Sequence, residues 1–377
     1  MKICIEAQPF VAKRTGVGRY TYCLIESFAK RDLDCDISVF YFNARRNFKD
    51  QEMIKKNPRM KNKEIKYIPG FIAYKLWTYF STPKVEFYAG EHDLYHFTNF
   101  VTLPVKKGKK LVTVYDASFK RFPEFAEEKN KARLERMLEE TLDVADGLAV
   151  ISEFTKKEIV TLFKYPEDKI FVTHLGVDDC FKKVNDIAKL DAIKIKYKIN
   201  GPFLLFTGTL EPRKNIPLLI KAFNILAKNT NYHLVIIGRC GWSYESILKE
   251  IEESRFSDRI HHLGYVKETD LPLMYSAADM FVFPTFYEGF GLPPLEAMRS
   301  GTLVISSDQA SLKEVLKDGV VYFDPFKTTP DDLYDIIIDH IRNDAKRELI
   351  IKRGFDIANS YTWEKTADKT LEIYKKI

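Results

Sequence analysis

Short apolar runs rich in β-branched and aromatic residues alternate with helix-like segments along almost the whole chain of 377 residues. Parallel strands need crossovers long enough to hold a helix, so this alternation predicts right-handed βαβ units and doubly wound, mostly parallel sheets. The predicted fold class is therefore α/β. The runs interpreted as strands are KICIEA, DISVFYF, DLYHFT, KKLVTVY, GLAVIS and KIFVTH in the first half, and FLLFTG, HLVIIG, RIHHLGY, MFVFPT, TLVISS and GVVYFDP in the second.

The chain is longer than one hydrophobic core usually serves, which predicts two domains. Between residues 177 and 202 the strand pattern gives way to a polar, weakly periodic stretch that ends in Gly201-Pro202. We place the joint there, with one Rossmann-like domain over 1–180 and a second over 198–359. Ligands of open α/β sheets bind at the carboxyl ends of the strands, so we expect the two domains to face each other across one cleft.

Composition and charge exclude several classes of protein. The formal net charge is +6, from 59 basic and 53 acidic residues. This excess is too small to indicate a nucleic-acid partner, although it fits weak attraction to an anionic ligand or surface. The five cysteines are scattered without a C-x-x-C spacing, which favours reduced thiols in a cytoplasmic protein. MKICIEAQPF lacks the long apolar core of a signal peptide, and no apolar run has the length of a membrane span.

One aromatic, lightly basic segment, FIAYKLWTYFSTPKV at residues 71–85, leaves two interpretations open. It could lie at the inner face of a membrane, where a lipid-linked acceptor would be found. It could instead be a helix that packs on the first sheet, because aromatic stripes usually face cores.

The stretch YEGFGLPPLEAMRSG, residues 287–301, places two carboxylates around a stiff turn. The prolines suit the first turn of a short helix, so Glu288 is expected in the loop before it and Glu296 in its first turn. Backbone N–H groups near Gly291, at the positive end of that helix, can hold phosphate, and a carboxylate can accept hydrogen bonds from vicinal sugar hydroxyls. The turn therefore predicts a ligand that is part phosphate and part sugar. The alternative is that Glu296 only stabilises its helix and that Glu288 is solvated.

A second segment, FLLFTGTLEPRKNIPLLIKAF, indicates the same ligand. It reads as a strand, a glycine loop and a helix with Asn215 as its N-cap. Arg213 and Lys214 stand just before the helix, where two cations and free N–H groups would clamp a pyrophosphate. A solvated Arg-Lys pair near a turn is the alternative interpretation.

GTLEPRKN, IIGRCGW, LGYV and TFYEGFGLPPLEAMRSG resemble the retaining nucleotide-sugar glycosyltransferases of the GT-B fold. Within these the chain is most similar to glycosyltransferase family 4, in its mannosyltransferase-like branch. The resemblance covers nearly the whole chain and is strongest between Phe203 and Pro325. Its last part, SYTWEKTADKTLEIY, resembles the closing helix of the family, which implies that residues 360–377 pack back on the first domain.

The resemblance implies a role for each matching position. Glu296 would bind the donor ribose, and Glu288 would face the donor sugar. Arg213 and Lys214 would neutralise the pyrophosphate and stabilise the departing nucleoside diphosphate. The other implied donor contacts are the backbone of Phe290, Gly291 and Leu292 at the phosphates, with Gly208 and Thr209; Tyr265 and Val266 at the base; and Gly16 and Gly18 of RTGVGRY at the donor phosphate and the acceptor.

One position departs from the family pattern. The family commonly shows His-Asp after the strand that corresponds to KLVTVY, whereas this chain has Tyr115-Asp116. Asp116 stays a candidate catalytic residue, but the missing histidine leaves the donor sugar open. His96 in DLYHFTN is another inward-facing candidate, although a lone histidine on a strand is more often a satisfied core residue.

The implied function is transfer of a hexose, with GDP-mannose as the favoured donor, to a glycan or lipid-linked sugar hydroxyl in polysaccharide or glycoconjugate synthesis. Retention of anomeric configuration is implied too, and no metal cofactor is expected. Two alternatives stay open: a GT-B epimerase or phosphorylase, and a non-catalytic sugar-nucleotide-binding subunit. An NAD site is disfavoured because G-V-G at 16–18 does not continue as G-x-G-x-x-G, and DLDCD at 32–36 is interpreted as a turn rather than a metal site.

Overall fold

The computed structural model describes residues 1–11, 16–46, 48, 52–125 and 128–377, with only the backbone of 128–130. It divides into two compact units. The first unit comprises Met1–Gly176 and Trp363–Ile377, and the second comprises Val177–Thr362. The chain therefore passes from the first unit into the second and returns.

The first unit is built on a parallel sheet of seven described strands, in the order β3-β2-β1-β4-β5-β6-β7. Apart from the edge strand Met60–Ile65, its strands are nearly continuous runs of buried apolar residues, as expected for a parallel sheet covered on both faces. The elements are β1 Lys2–Glu6, α1 Gln8–Val11, α2 Val17–Ala29, β2 Asp36–Phe42, α3 Glu52–Lys55, β3 Met60–Ile65, α4 Gly70–Phe80, α5 Glu86–Ala89, β4 Leu94–Phe97, β5 Lys109–Val114, α6 Ser118–Arg121, α7 Glu128–Val144, β6 Gly147–Val150, α8 Glu153–Phe163 and β7 Ile170–Val172.

The second unit holds a parallel six-stranded sheet in the order β10-β9-β8-β11-β12-β13. Strand order reverses between β8 and β11, which makes the carboxyl ends of these two neighbouring strands the usual place for a ligand. The elements are α9 Ile187–Lys196, β8 Phe203–Thr207, α10 Ile216–Leu226, β9 His233–Ile237, α11 Glu245–Glu252, β10 Ile260–Gly264, α12 Leu271–Ala277, β11 Met280–Phe283, α13 Leu292–Arg299, β12 Leu303–Ser307, α14 Leu312–Leu316, β13 Val321–Phe323, α15 Pro330–Ile341 and α16 Asp344–Asn359.

The last helix, α17 (Trp363–Lys376), belongs to the first unit and packs on α2. Its Tyr374 hydroxyl lies 2.8 Å from Nδ1 of His96, whose Nε2 lies 2.8 Å from the hydroxyl of Thr113. Burial lowers the pKa of His96 to about 3. His96 is therefore a satisfied core residue that ties the end of the chain to the centre of the first sheet, rather than a site residue.

The predicted fold class is confirmed, with two differences in detail. Strand β3 was not predicted, because MKNKEI alternates lysines with few apolar residues. It lies at the edge of its sheet, where charged side chains are tolerated and discourage pairing with another chain. Helix α9 forms inside the stretch that the sequence indicates as a joint. Within the described ranges, no helix is both long and apolar enough to cross a bilayer.

Candidate functional site

The loops after β8 and β11 meet at the main chain of Arg213. Its carbonyl oxygen accepts hydrogen bonds from the Thr285 hydroxyl at 3.1 Å and from the Phe286 N–H at 2.9 Å. Because β8 and β11 are neighbours in the sheet, both loops leave the same edge. The two sequence segments singled out above are thus held together at the main chain of Arg213.

Lys214 and Glu288 form a buried ion pair at this junction. The Lys214 ammonium lies 2.5 Å from Oε1 of Glu288, and the two side chains are only 8% and 12% exposed. The same carboxylate oxygen lies 3.1 Å from the hydroxyl oxygen of Thr285. The Lys214 ammonium also lies 5.5 Å from the centre of the Phe283 ring, which adds a favourable contact for a cation.

Arg213 adds a second cation to the same carboxylate. Its guanidinium lies 3.5 Å from Oε2 of Glu288, donates to the carbonyl of Tyr287 at 2.6 Å and bonds the carboxylate of Glu211 at 2.6 Å. Two cations and two carboxylates therefore lie together in a region with little exposure to solvent. Glu211 was not among the residues selected from the sequence, although it is two residues from Arg213.

The electrostatics of this cluster follow from burial and proximity. Burial and the neighbouring Arg213 lower the pKa of the Lys214 ammonium. Burial alone would raise the pKa of Glu288, but Lys214 and Arg213 hold it below its usual value. Burial and a neighbouring cation both destabilise a charged group, and a nearby anion offsets this destabilisation. Each cation of the cluster is matched by a carboxylate of Glu211 or Glu288.

Glu296 lies in the second turn of α13, since the helix begins at Leu292; the expected first-turn position is wrong. The side chain is 4% exposed, and its Oε2 accepts a hydrogen bond from the Tyr275 hydroxyl at 2.9 Å. That hydroxyl is also 2.7 Å from the hydroxyl of Thr207, the last residue of β8. Glu296 is therefore fixed on the side of α13 that faces β8. The sequence pattern did not select Tyr275.

The turn before α13 needs a glycine at Gly291. Its φ of 98° lies in the left-handed region, and a Cβ there would come within 2.6 Å of Leu312. Phe290 is buried against Tyr361, with ring centroids 5.7 Å apart. Leu292 follows as the first residue of the helix. The three positions expected to offer backbone N–H groups thus lie together at the helix start.

Gly208 follows the last residue of β8 and leads to Thr209, and both are half-buried. A Cβ on Gly208 would lie 3.7 Å from Cε of Lys214, so this loop borders the ion pair. A Cβ on Gly238, which follows β9, would lie 1.7 Å from the carbonyl oxygen of Gly208. A glycine after a strand can allow a ligand to approach the backbone closely. At Gly238 it is required by close approach of the neighbouring strand end.

The helix that follows Arg213 and Lys214 begins as expected, with a different cap. Asn215 occupies the N-cap position of α10 but has a left-handed backbone, and its side chain makes no capping hydrogen bond. The backbone N–H of Asn215 donates a hydrogen bond to the carbonyl oxygen of Pro212 at 3.0 Å. Tyr265 and Val266 follow β10; the tyrosine is 71% exposed and the valine is buried.

The remaining candidates lie in the first unit. Gly16, with φ 51°, is the N-cap of α2, and Gly18 is buried in the first turn of that helix. Residues 12–15, which include Arg14 and Thr15 of RTGVGRY, lie outside the described residues. Asp116 follows β5 and accepts hydrogen bonds from both the amide and the hydroxyl of Ser118. Tyr115 is buried and donates to the carbonyl of Thr98 at 2.6 Å. Tyr115 therefore has a structural role of its own where the family has histidine.

The structure brings together nine of the candidate residues in the second unit, around two neighbouring strand ends: Arg213, Lys214, Glu288, Glu296, Phe290, Gly291, Leu292, Gly208 and Thr209. The described residues include no group of three or more His, Cys, Asp or Glu side chains arranged to hold a metal ion. His261 and His262, adjacent in β10, turn to different partners: Nδ1 of His233 and the carbonyl of Gly238.

Two family profiles match consecutive parts of the chain. Residues 14–180 match glycosyltransferase family 4, and residues 191–356 match glycosyl transferases group 1. An O-antigen chain mannosyltransferase B from Escherichia coli is 31% identical over the full length of both chains. An O-antigen chain mannosyltransferase from Salmonella typhimurium is 30% identical over 60% of each chain.

The fold has close structural relatives as well. A sucrose-phosphate synthase from Thermosynechococcus elongatus superposes with a TM-score of 0.77 at 19% identity, covering 100% of this chain and 98% of the other. At that identity the likeness concerns the fold alone. Taken with the full-length sequence match and the two profiles, it leads to one conclusion: the chain belongs to the GT-B glycosyltransferases of family 4.

Proposed function

We propose that this enzyme transfers mannose, with retention of configuration, from GDP-mannose to a hydroxyl of a growing or lipid-linked glycan. The observation that carries the proposal is the buried cluster of Lys214, Arg213 and Glu288 at the carboxyl ends of β8 and β11. It combines cations for a diphosphate with a carboxylate for sugar hydroxyls. Glu296 lies on the adjoining helix, where the family resemblance assigns ribose binding.

The chemistry proposed for these groups is stabilisation of the leaving group. As the bond between the sugar and the β-phosphate stretches, negative charge grows on the phosphate oxygen. Lys214 and Arg213 would meet that charge, and because Lys214 is 6% exposed, little water screens the interaction. Glu288 would balance the positive charge that develops on the sugar ring. The acceptor hydroxyl would pass its proton to the departing phosphate oxygen, so the step needs no protein nucleophile.

The nature of the donor is supported by the relatives. Both O-antigen relatives are described as mannosyltransferases, and the first is similar over its entire length. Their names also support a polysaccharide acceptor. Tyr115, in place of the common histidine, is buried and hydrogen-bonded to Thr98, so any contact made to the donor sugar by that histidine would have to come from another residue.

The proposal is tested by incubating the purified protein with a panel of nucleotide sugars and a mannose-terminated acceptor. Release of nucleoside diphosphate identifies the donor, and the anomeric coupling of the product by NMR reports the stereochemistry. We expect GDP release from GDP-mannose that depends on the acceptor, with an α-linked product. Turnover without acceptor, or a requirement for phosphate, would favour the epimerase or phosphorylase alternative. Binding of the donor without any turnover would favour a non-catalytic subunit.

A further inference from the structure

Large apolar side chains are exposed together on one side of the first unit. The outer side of α4 presents Phe71, Ile72, Lys75 and Tyr79, which we name the α4 face. Phe71 is 63% exposed, Ile72 38% and Tyr79 77%. The spacing places all four on one stripe of the helix. Such a concentration of exposed aromatic surface is unusual unless it binds something.

The exposure does not come from a poorly packed helix. The opposite side of α4 contributes Ala73 and Trp77 to the core, where the Trp77 ring lies 5.8 Å from Tyr88. Between the two sides, the Tyr74 hydroxyl donates to the buried carboxylate of Glu6 at 2.7 Å. Glu6 is the last residue of β1. The helix is therefore fixed to the sheet, and the α4 face is held outward. The core-packing interpretation of residues 71–85 thus holds for the side of α4 that carries Ala73 and Trp77.

Neighbouring segments extend the exposed surface. Phe80, 67% exposed, lies with its ring centroid 6.5 Å from that of Tyr79. Phe87, 71% exposed, lies 5.0 Å from Tyr88, which packs on Trp77 from the inner side.

The cations in this part of the sequence are all lysines. Residues 61–110 contain nine lysines, no arginine and four acidic residues. Lys75, on the α4 face, and Lys84, in the loop after it, are exposed and make no ion pair with any residue that the structure describes. Protein interfaces favour arginine and are depleted of lysine. Membrane-surface segments combine lysine with aromatic residues, because lysine stems extend along apolar groups while the ammonium reaches anionic headgroups.

We propose that the α4 face, with Phe80 and Phe87, docks on the surface of an anionic phospholipid bilayer. The aromatic rings would lie at headgroup depth, and Lys75 and Lys84 would contact lipid phosphates. The proposal goes beyond the transferase activity and does not depend on which sugar is transferred. It commits to a lipid surface because the patch combines exposed aromatic rings with unpaired lysines and lacks arginine.

The test is co-sedimentation of the full chain with vesicles of phosphatidylcholine alone and with vesicles in which about one third of the lipid is phosphatidylglycerol. Wild type should bind the anionic vesicles, and salt should weaken the binding. Phe71→Ser with Tyr79→Ser should reduce partitioning by about tenfold or more. Lys75→Glu should reduce it by at least about fivefold, since each surface cation contributes about that factor.

Matched controls are available in the second unit. Ile195→Ser removes an isoleucine that is 75% exposed on α9, and Lys352→Glu reverses an exposed charge on α16. Both should bind anionic vesicles like wild type, and all variants should keep the wild-type circular dichroism spectrum, because each changed side chain is exposed.

Equal binding by the α4 face variants and the controls would overturn the proposal. So would failure of wild type to bind anionic vesicles, or a dimer in solution that the Phe71/Tyr79 variant abolishes without any dependence on vesicles. GDP release with a soluble mannose-terminated acceptor would be unchanged in the α4 face variants, which separates this outcome from failure of the proposed activity.

Discussion

Replacing Lys214 by methionine tests the proposed chemistry most directly. Methionine has a similar length and fills the same space without charge. The Lys214 ammonium is 2.5 Å from Glu288 and is almost fully buried, so the substitution removes one cation from a region where water cannot replace it. In wild type, this cation would meet the negative charge on the leaving phosphate.

The size of the effect can be worked from this environment. Loss of one buried donor to a developing oxyanion costs about 3–4 kcal/mol, so turnover should fall by about two to three orders of magnitude. Stability should fall less. Leaving a buried charge without a partner costs about 3–5 kcal/mol, but Glu288 keeps Arg213 at 3.5 Å and Thr285 at 3.1 Å. We therefore expect the free energy of unfolding to decrease by about 1–3 kcal/mol, less than a full unpaired charge.

The assay is GDP release under saturating donor and acceptor, with the free energy of unfolding measured in urea. Lys196→Met is the control, because Lys196 forms an ion pair of 2.5 Å with Asp270 in the same unit but is 47% exposed. The control should keep wild-type turnover and lose about 1 kcal/mol or less. Glu288→Gln removes the carboxylate and keeps the Lys214 side chain, so it tests the acidic member of the pair separately. Near-normal turnover in Lys214→Met, in a protein that remains folded, would refute the leaving-group role.

Three further predictions concern donor binding, metal dependence and acid stability. Glu296→Gln should raise the donor KM by about tenfold or more, because a charged acceptor of ribose hydrogen bonds is lost; unchanged GDP affinity by calorimetry would contradict that role. Activity should persist in excess EDTA, and a strict requirement for a divalent cation would reject the proposed metal-independent step. His96 binds protons in the unfolded chain below about pH 6.5 but in the folded one only below about pH 3, so stability should fall on acidification through this window. His96→Gln should flatten the dependence of Tm on pH between about pH 6.5 and 5, and an equally steep decline in that variant would contradict the assignment.

Much of the fold follows from local pattern. The runs that became β1, β2, β8 and β9 are buried on both faces, and a continuous apolar run bounded by glycine or polar residues is sufficient to indicate them. β3 could not be found in this way, because an edge strand depends on its single neighbour rather than on its own apolar residues. α9 was missed for a related reason: only Ile193 is buried, so the helix shows little amphipathic pattern.

The candidate site was predictable in its residue types and less so in its environment. The spacing of glycine, proline and glutamate located α13, but the helix start fixed by Leu292 moved Glu296 into the second turn. Lys214 was recognised as a cation, yet its burial depends on Glu288, 74 residues further along the chain. Tyr275, which orients Glu296, carries no local signal. Tertiary contacts of this kind decide the pKa values, and a single sequence does not contain them.

The return of α17 to the first unit has a consequence for how the protein is made. The second unit is one continuous segment, so all of it leaves the ribosome before Trp363–Ile377 does. Tyr374 must then reach His96, 278 residues earlier, to complete a core that was started first. During synthesis α2 therefore lacks its contact with α17 until the whole second unit has been translated. In this interval the nascent chain most needs protection from aggregation.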